Sequence, residues 1–314
     1  MSNSHFRVYI GRDADCFRLY LEPLLRHLFP GVNIQNPGNV SDRVNCVIDA
    51  IHNGGAKNIQ KYKNTPNLKI IVISGEPNGV STNVAGFVHL FIDCKRDPTL
   101  RPHNVPFVYF PFYAVSFAER LHHPRDLLVP CDVMTTLRSK TKFCAFMYSQ
   151  QVQFRNELFD AVNHYKPVDA LGVCRSNKQR HETDRTTYDL ATRTYFESAV
   201  DQYRPYKFVI ACENSRINGY ITEKLINPVL AHAVPIYLGA PDLFSDNVFN
   251  RKAIIHVADF PSYQACVDHV KKVDQDDNLY RQYLREPLFI NNQLPVYFRS
   301  DYLLNSLLRV FGQS

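Results

Sequence analysis

Apolar residues along the chain alternate between two spacings. Phe6–Ile10 sets Val8 and Ile10 on one face, as a strand does, and Cys16–Leu28 then carries Phe17, Tyr20, Leu21, Leu24, Leu25 and Leu28 at helical spacing. Val44–Ile48 is a short apolar strand. Leu68–Ser74 is a β-branched run of the kind buried on both faces of a parallel sheet. It ends in Gly75-Glu76-Pro77-Asn78-Gly79, a loop by composition. Val88–Ile92 and Val105–Phe110 predict further strands. Charges and prolines between about Arg120 and Lys142 break the pattern, which restarts with the strand Phe143–Tyr148 and the helix Phe154–His164. A basic, polar stretch, Arg175–Arg193, predicts a loop and the start of a helix. After it come the strand Phe208–Cys212, the helix Thr222–His232, the strands Val234–Leu238 and Ile254–Val257, and the helix Tyr263–Val273.

Strands that alternate with helices build βαβ units and parallel sheets. The expected class is α/β, with two Rossmann-like domains facing a cleft and ligands at the carboxyl ends of strands. The 314 residues suit two domains of roughly 150 each. The expected bounds are 1–138 and 139–296, followed by a C-terminal helix in 297–314 that can cross back to the first domain. That tail, Tyr302–Phe311, puts Leu303, Leu304, Leu307, Leu308 and Phe311 on one stripe. The stripe suits packing on the body, with peripheral membrane contact as the lesser role.

Composition narrows the classes further. Hydrophobic residues make up 45% and charged residues 21%, which excludes a disordered or fibrous chain. The net charge of +6 is mild and spread out, so it suits an anionic ligand without demanding nucleic acid. Few Lys/Arg–aromatic pairs argue against nucleic acid as well. The 8 cysteines are too sparse for a disulfide scaffold and form no CxxC, and Cys144 and Cys212 lie in apolar strands as buried thiols. No signal peptide or membrane span of 18 apolar residues is visible, which predicts a cytoplasmic protein. The chain is read as carrying no Asp-x-Asp metal motif, and His122, His123 and His232 have no metal-like partners.

The densest chemistry lies in Tyr206–Leu225, where an apolar strand runs into a polar loop and the loop opens a helix. A helix start exposes free N–H groups and the positive end of the dipole, which together attract an anion. Lys224 adds a full charge there, and Glu223 can accept hydrogen bonds from sugar hydroxyls. The same residues also fit a plain cap at Thr222 or Ser215, with Glu223 favouring the dipole and Lys224 in solvent.

This stretch resembles the signature of the α-1,3/4-fucosyltransferases. The pieces stand in order: Glu213-Asn214-Ser215, then Gly219-Tyr220-Ile221-Thr222-Glu223-Lys224-Leu225, then Val234-Pro235-Ile236-Tyr237-Leu238-Gly239. Ile255–Phe260 and Tyr280–Leu288 continue the likeness, which covers about Phe143 to Leu288. The resemblance implies a GT-B-type, inverting enzyme that moves fucose from GDP-fucose to an oligosaccharide or glycoconjugate acceptor. It implies an acceptor-side domain at 1–138 and a donor-side domain at 139–296. Arg155, in Phe154-Arg155-Asn156, matches the family's donor-site arginine, whose planar fork suits a diphosphate. Asn214 and Ser215 then lie near the diphosphate, and Tyr220, Glu223 and Lys224 around the nucleotide sugar. Glu76 matches the carboxylate of the family's Gly-Glu-Asn, the general base, with Pro77 in place of the asparagine. Asp93, after the Val88–Ile92 strand, is the nearest competitor for that role.

No metal cofactor is implied, with Mn²⁺ or Mg²⁺ at most a stimulant of GDP release. The basic residues Arg175, Lys178, Arg180, Arg185 and Arg193 fit an anion contact less well than a solvated face. Two other readings fit the same residues: a transferase of similar fold using another nucleotide sugar, and a non-catalytic protein that binds a sugar nucleotide.

Overall fold

The computed structural model of the chain describes residues 6–11, 14–35, 44–51, 57–77, 84, 86–119, 123–128, 132–178, 194–299 and 301–312. By their contacts they form two compact units. The first takes Met1–Ala118, Ile217–Tyr220 and Val296–Ser314, and the second Glu119–Arg216 and Ile221–Pro295.

The sheet of the first unit consists of β1 (Arg7–Ile10), β2 (Asn33–Gln35), β3 (Cys46–Ala50), β4 (Lys69–Ser74), β5 (Leu90–Asp93) and β6 (Phe107–Tyr109), in the order β2-β1-β3-β4-β5-β6. Every pairing is parallel. The central strands are apolar because both faces are covered: Ile48, Ile71, Val72 and Ile73 are fully buried. The helix α1 (Asp15–Leu28) lays Phe17, Leu21, Leu24 and Leu25 into that core, at the spacing its sequence predicts. Two single-turn helices, α2 (Lys57–Gln60) and α3 (Phe112–Val115), complete the unit's N-terminal part. The edge strand β2 escapes the sequence pattern, since Asn33-Ile34-Gln35 has one apolar residue and no buried face.

The second unit opens with α4 (Val133–Ser139) and continues β7 (Lys142–Phe146), α5 (Gln153–Tyr165), β8 (Asp169–Ala170), α6 (Thr194–Tyr203), β9 (Tyr206–Cys212), α7 (Glu223–Leu230), β10 (Val234–Leu238) and β11 (Ile255–His256). The helices α8 (Tyr263–Gln275) and α9 (Asp277–Arg285) close it. Its parallel sheet has the order β11-β10-β9-β7-β8. Read from the other edge, this is the doubly wound order 2-1-3-4-5, and the first sheet begins the same way. The winding of the second sheet therefore reverses between β7 and β9, and ligands of such sheets sit outside the carboxyl ends at that point.

One boundary differs from the sequence expectation. Residues 119–138 belong with the second unit and not with the first: Leu127 is buried there, and α4 packs against α9. The C-terminal helix α10 (Leu304–Val310) belongs to the first unit. Leu303 and Leu307 are buried, and the Phe311 ring meets Phe29 edge-on at 4.9 Å and Phe6 at 5.5 Å. No helix among the described residues is long and apolar enough to cross a membrane.

Candidate functional site

The second sheet places its polar residues at the reversal point. Strand β9 ends at Cys212, and the next residues, Glu213 and Asn214, turn out of the sheet beside α5, the helix that follows β7. Arg155, in the first turn of α5, is fully buried. Its Nη2 donates to the carbonyls of Cys212 (3.2 Å) and Glu213 (3.0 Å) and to Asn214 Oδ1 (2.8 Å). Its Nη1 donates to the carbonyl of Gln150 at 3.1 Å, and the guanidinium lies 3.8 Å from the centre of the Tyr148 ring. Among the described residues it has no carboxylate partner, and its Nε has no acceptor. The sequence places this fork on a diphosphate. In the structure it holds the Cys212-Glu213 backbone and the Asn214 side chain, because a buried guanidinium must satisfy its donors on whatever acceptors surround it.

Glu213 is also fully buried, and it performs a task the sequence analysis assigned to no residue. Its two oxygens accept from the Thr222 backbone N–H at 2.8 Å and the Thr222 hydroxyl at 2.7 Å. The start of α7 is thereby tied to the end of β9. Thr222 in turn caps α7, accepting from the Lys224 N–H at 3.3 Å. Gly239, past the end of β10, allows this arrangement: a Cβ there would lie 2.5 Å from Glu213 Cγ and 2.3 Å from the Tyr237 hydroxyl. Lys224 Nζ stands 3.1 Å from Glu223 Oε1, 3.2 Å from Thr222 Oγ1 and 3.8 Å from Glu213 Oε2. One ammonium thus faces two buried carboxylates at a helix N-terminus. Burial pushes the Glu213 carboxyl above its ordinary range, against the opposing pull of Lys224.

Among the expected site residues, the structure joins Arg155 to Asn214 and Glu223 to Lys224. Ser215 follows Asn214 and is half-buried. Tyr220 is buried and falls in the first unit with residues 217–220. In that unit the Asn218 carbonyl accepts from the Arg96 N–H at 2.8 Å, and the Gly219 carbonyl from the Tyr109 hydroxyl at 2.8 Å. Gly219 has φ +76, and a Cβ would lie 2.7 Å from Arg96 Cγ, so only glycine fits there.

Glu76 lies two residues past β4 in the first unit, half-buried, and its carboxylate has no hydrogen bond among the described residues. Asp93, the competitor, is fully buried at the end of β5 with Oδ1 2.7 Å from the equally buried Lys95 Nζ. That oxygen is taken up by its lysine, while Oδ2 is buried with no hydrogen-bond partner.

The remaining expectations fall on structural roles or outside the described residues. Asp-x-Asp spacing does occur, at Asp13/Asp15 and Asp274/Asp276, contrary to the expectation above. Asp13 lies outside the described residues. Asp274 binds Lys166 (2.8 Å), Lys207 (3.0 Å) and the Tyr165 hydroxyl (3.0 Å), while Asp276 caps α9. No group of three or more His, Cys, Asp or Glu among the described residues could hold a metal ion. Cys144 and Cys212 are buried and unpaired by disulfides. His123 caps a short 3₁₀ turn, and His232 sits at φ +52 after α7. Arg175 pairs with Asp160 at 2.5 Å and Lys178 with Asp169 at 3.2 Å, whereas His122, Arg180, Arg185 and Arg193 lie outside the described residues.

Residues 137–287 match the family described as glycosyltransferase family 10 (fucosyltransferase), C-terminal part. A protein of Acanthamoeba polyphaga mimivirus, whose name assigns it to the fucosyltransferases, is 31% identical over 317 residues, covering 99% of this chain and 47% of that protein. The α-(1,3)-fucosyltransferase FucT of Helicobacter pylori is 29% identical over 60% of this chain and 36% of its own length. GDP-fucose protein O-fucosyltransferase 3 of Xenopus laevis is 31% identical over 54% of this chain and 36% of its own. The chain therefore spans between about a third and a half of these relatives. Crystal structures of an α1,3-fucosyltransferase superpose over 98% of this chain and 89% of theirs at 20% identity, with a TM-score of 0.70, or 0.66 for the one with GDP-fucose. The fold is α/β of the GT-B type, with two parallel sheets.

Proposed function

The chain belongs to glycosyltransferase family 10, the fucosyltransferases, and on that premise we propose that it transfers L-fucose from GDP-β-L-fucose to a hydroxyl of an N-acetylglucosamine- or galactoside-type glycan, forming an α-1,3 or α-1,4 linkage. The observation that carries the reading is the tie between β9 and α7. Buried Glu213 locks Thr222, so the N-terminus of α7 and Lys224 are preset beside the Arg155–Asn214 loop. An aligned helix start, one lysine and a fixed amide suit the diphosphate of a departing nucleotide.

The transfer is a single displacement. The acceptor oxygen attacks C1 of fucose through an oxocarbenium-like transition state, the bond from C1 to the β-phosphate oxygen breaks, and its electron pair leaves with GDP. The configuration changes from β to α. The Glu76 carboxylate takes the hydroxyl proton as general base, and its lack of a competing hydrogen bond among the described residues leaves its lone pairs available for that role. Lys224 and the α7 N-terminus stabilise the charge on GDP, with Asn214 and Ser215 at the diphosphate and Tyr220 and Glu223 around the nucleotide sugar. Arg155 acts by holding Asn214. Lys224 and the α7 N-terminus taking the leaving-group charge make a divalent ion dispensable, so transfer should persist through exhaustive chelation, with Mn²⁺ or Mg²⁺ at most speeding GDP release. Complete loss with EDTA, restored only by metal, would overturn that part.

The likeness to a protein O-fucosyltransferase favours one second reading, in which the acceptor hydroxyl belongs to a polypeptide. A screen of glycans and glycosylatable peptides with labelled GDP-fucose, read by linkage analysis of the product, separates the two. The first reading expects label on a glycan through an α-1,3 or α-1,4 bond. Label on Ser or Thr alone would replace it with the second, and no label from GDP-fucose with any acceptor would reject both.

A further inference from the structure

The loop that carries Glu76 is anchored by a lysine the mechanism does not use. Strands β4 and β5 end side by side, with Ser74 in register with Asp93. The Cys94 N–H extends the ladder by one more bond, to the Ser74 carbonyl at 3.0 Å. Lys95 follows, and its side chain is fully buried. Its ammonium has three protons and meets three acceptors: Asp93 Oδ1 at 2.7 Å, Ser74 Oγ at 2.7 Å and the backbone carbonyl of Glu76 at 2.6 Å. Burying an ammonium is costly unless it is both paired and hydrogen-bonded, and here both conditions are met.

The third contact matters most. Pro77 follows Glu76 and offers no backbone N–H, so the bend Gly75-Glu76-Pro77 has one donor fewer with which to brace itself. Lys95 reaches the Glu76 carbonyl from beneath and fixes the peptide on which the carboxylate is mounted. Gly75 packs close to Phe17 and Phe112, which would sit 3.3 and 3.5 Å from a Cβ. The main chain from Ser74 to Glu76 is therefore held by the sheet at one end and by an ammonium at the other.

We propose that Lys95 is a positioning residue for the base: neutralised by Asp93, it sets the backbone of Glu76 and hence the approach of its carboxylate to the acceptor hydroxyl. The proposal rests on the reading of Glu76 as general base. It also gives Asp93 a role, that of counter-ion to Lys95.

A double-mutant cycle tests it. Lys95→Met alone strands Asp93 as a buried charge and can fail to fold, so the working variant is Lys95→Met with Asp93→Asn, which removes both charges at nearly constant shape. It is made in the wild-type chain and in Glu76→Gln, and thermal unfolding, GDP affinity, kcat and acceptor KM are measured for each. The expected result is a fall in kcat of about ten- to hundredfold, the scale of a misplaced reacting group, with GDP affinity unchanged and no further fall when Glu76 is already Gln. A folded pair variant with wild-type kcat would overturn the proposal. So would a fall of equal size in the Glu76→Gln background, since Lys95 would then act through something other than Glu76. If Glu76→Gln itself turns over at the wild-type rate, the base assignment fails and the positioning role falls with it. That outcome shows in the Glu76 variant alone and so is distinct from the other two.

Discussion

The strand ends that carry the proposed chemistry in the two units share one device and differ in what it leaves over. At the end of β4 a fully buried Lys95 binds the Glu76 carbonyl, and at the end of β9 a fully buried Arg155 binds the carbonyls of Cys212 and Glu213. Each is a cation spent on main chain. Lys95 is balanced by Asp93 at 2.7 Å, whereas Arg155 has no carboxylate partner among the described residues and rests on carbonyls, an amide and the Tyr148 ring. The carboxylates are placed the other way round. Glu213 is turned inward to lock Thr222, while Glu76 is left half-buried, its carboxylate without a hydrogen bond among the described residues. A carboxylate meant to take a proton cannot already be occupied, and a loop meant to meet an anion gains from main chain and an amide fixed in place beside a helix start. The difference between the two ends matches the difference between a base and a leaving-group site.

The largest effect expected from breaking this contrast is at Glu76. Glu76→Gln keeps the shape and removes the base, so turnover should fall by about 10²–10⁴-fold while GDP affinity, measured by calorimetry, holds. A near-wild-type rate would remove Glu76 from the reaction. Next comes Arg155. Arg155→Met leaves the Cys212, Glu213 and Gln150 carbonyls without their donor, and chemical denaturation should show a loss on the order of 3 kcal/mol, with weaker GDP binding following from the loosened Asn214. Unchanged stability would mean that the buried contacts are not formed in solution. Lys224→Ala removes one charge-assisted contact to the nucleotide and should cost about ten- to hundredfold in GDP affinity; because it leaves the buried Glu213 and Glu223 without their counter-ion, it should lower the melting temperature as well.

The smallest effect sharpens the contrast from outside the site. Burial would raise the Asp274 carboxyl, but hydrogen bonds from Lys166 and Lys207 outweigh it and hold the group below its ordinary range. A depressed folded value stabilises the fold above the unfolded value, and that stabilisation fades as pH falls through the folded one. Asp274→Asn should therefore lower stability by about 1–2 kcal/mol near neutral pH. The gap to wild type should close only below about pH 4. A gap that closes between pH 7 and 5 would point to another group.

Periodicity made the class and most strands legible, because parallel strands buried on both faces are written in unbroken apolar residues such as Ile70–Ile73 and Phe208–Cys212. Strands β2 and β8 were not legible: they are edge strands of three and two residues, too short to show a period. The domain boundary was misplaced because the charged, proline-bearing stretch around residue 125 reads as a linker, although its Leu127 is buried in the second unit. Within the site, the positions of Asn214, Glu223 and Lys224 followed from the motif, but the directions in which side chains point did not. Arg155 reads as a ligand arginine and is turned into the protein. Glu213, Gly239 and Lys95 received no role because their partners lie 9, 26 and 21 residues away in sequence. The signal that was present is a charged residue at or just past the carboxyl end of an apolar strand, shared by Glu213, Asp93 and Lys95.

The central claim is that GDP-fucose is the donor, and the most direct measurement is a donor panel. The protein is incubated with GDP-fucose, GDP-mannose, UDP-galactose and UDP-N-acetylglucosamine in turn, and free nucleotide is quantified with and without a mixed glycan acceptor pool. The account predicts GDP release from GDP-fucose, increased by acceptor, and no turnover of the other three. Nucleotide release from one of those three with GDP-fucose untouched would contradict it.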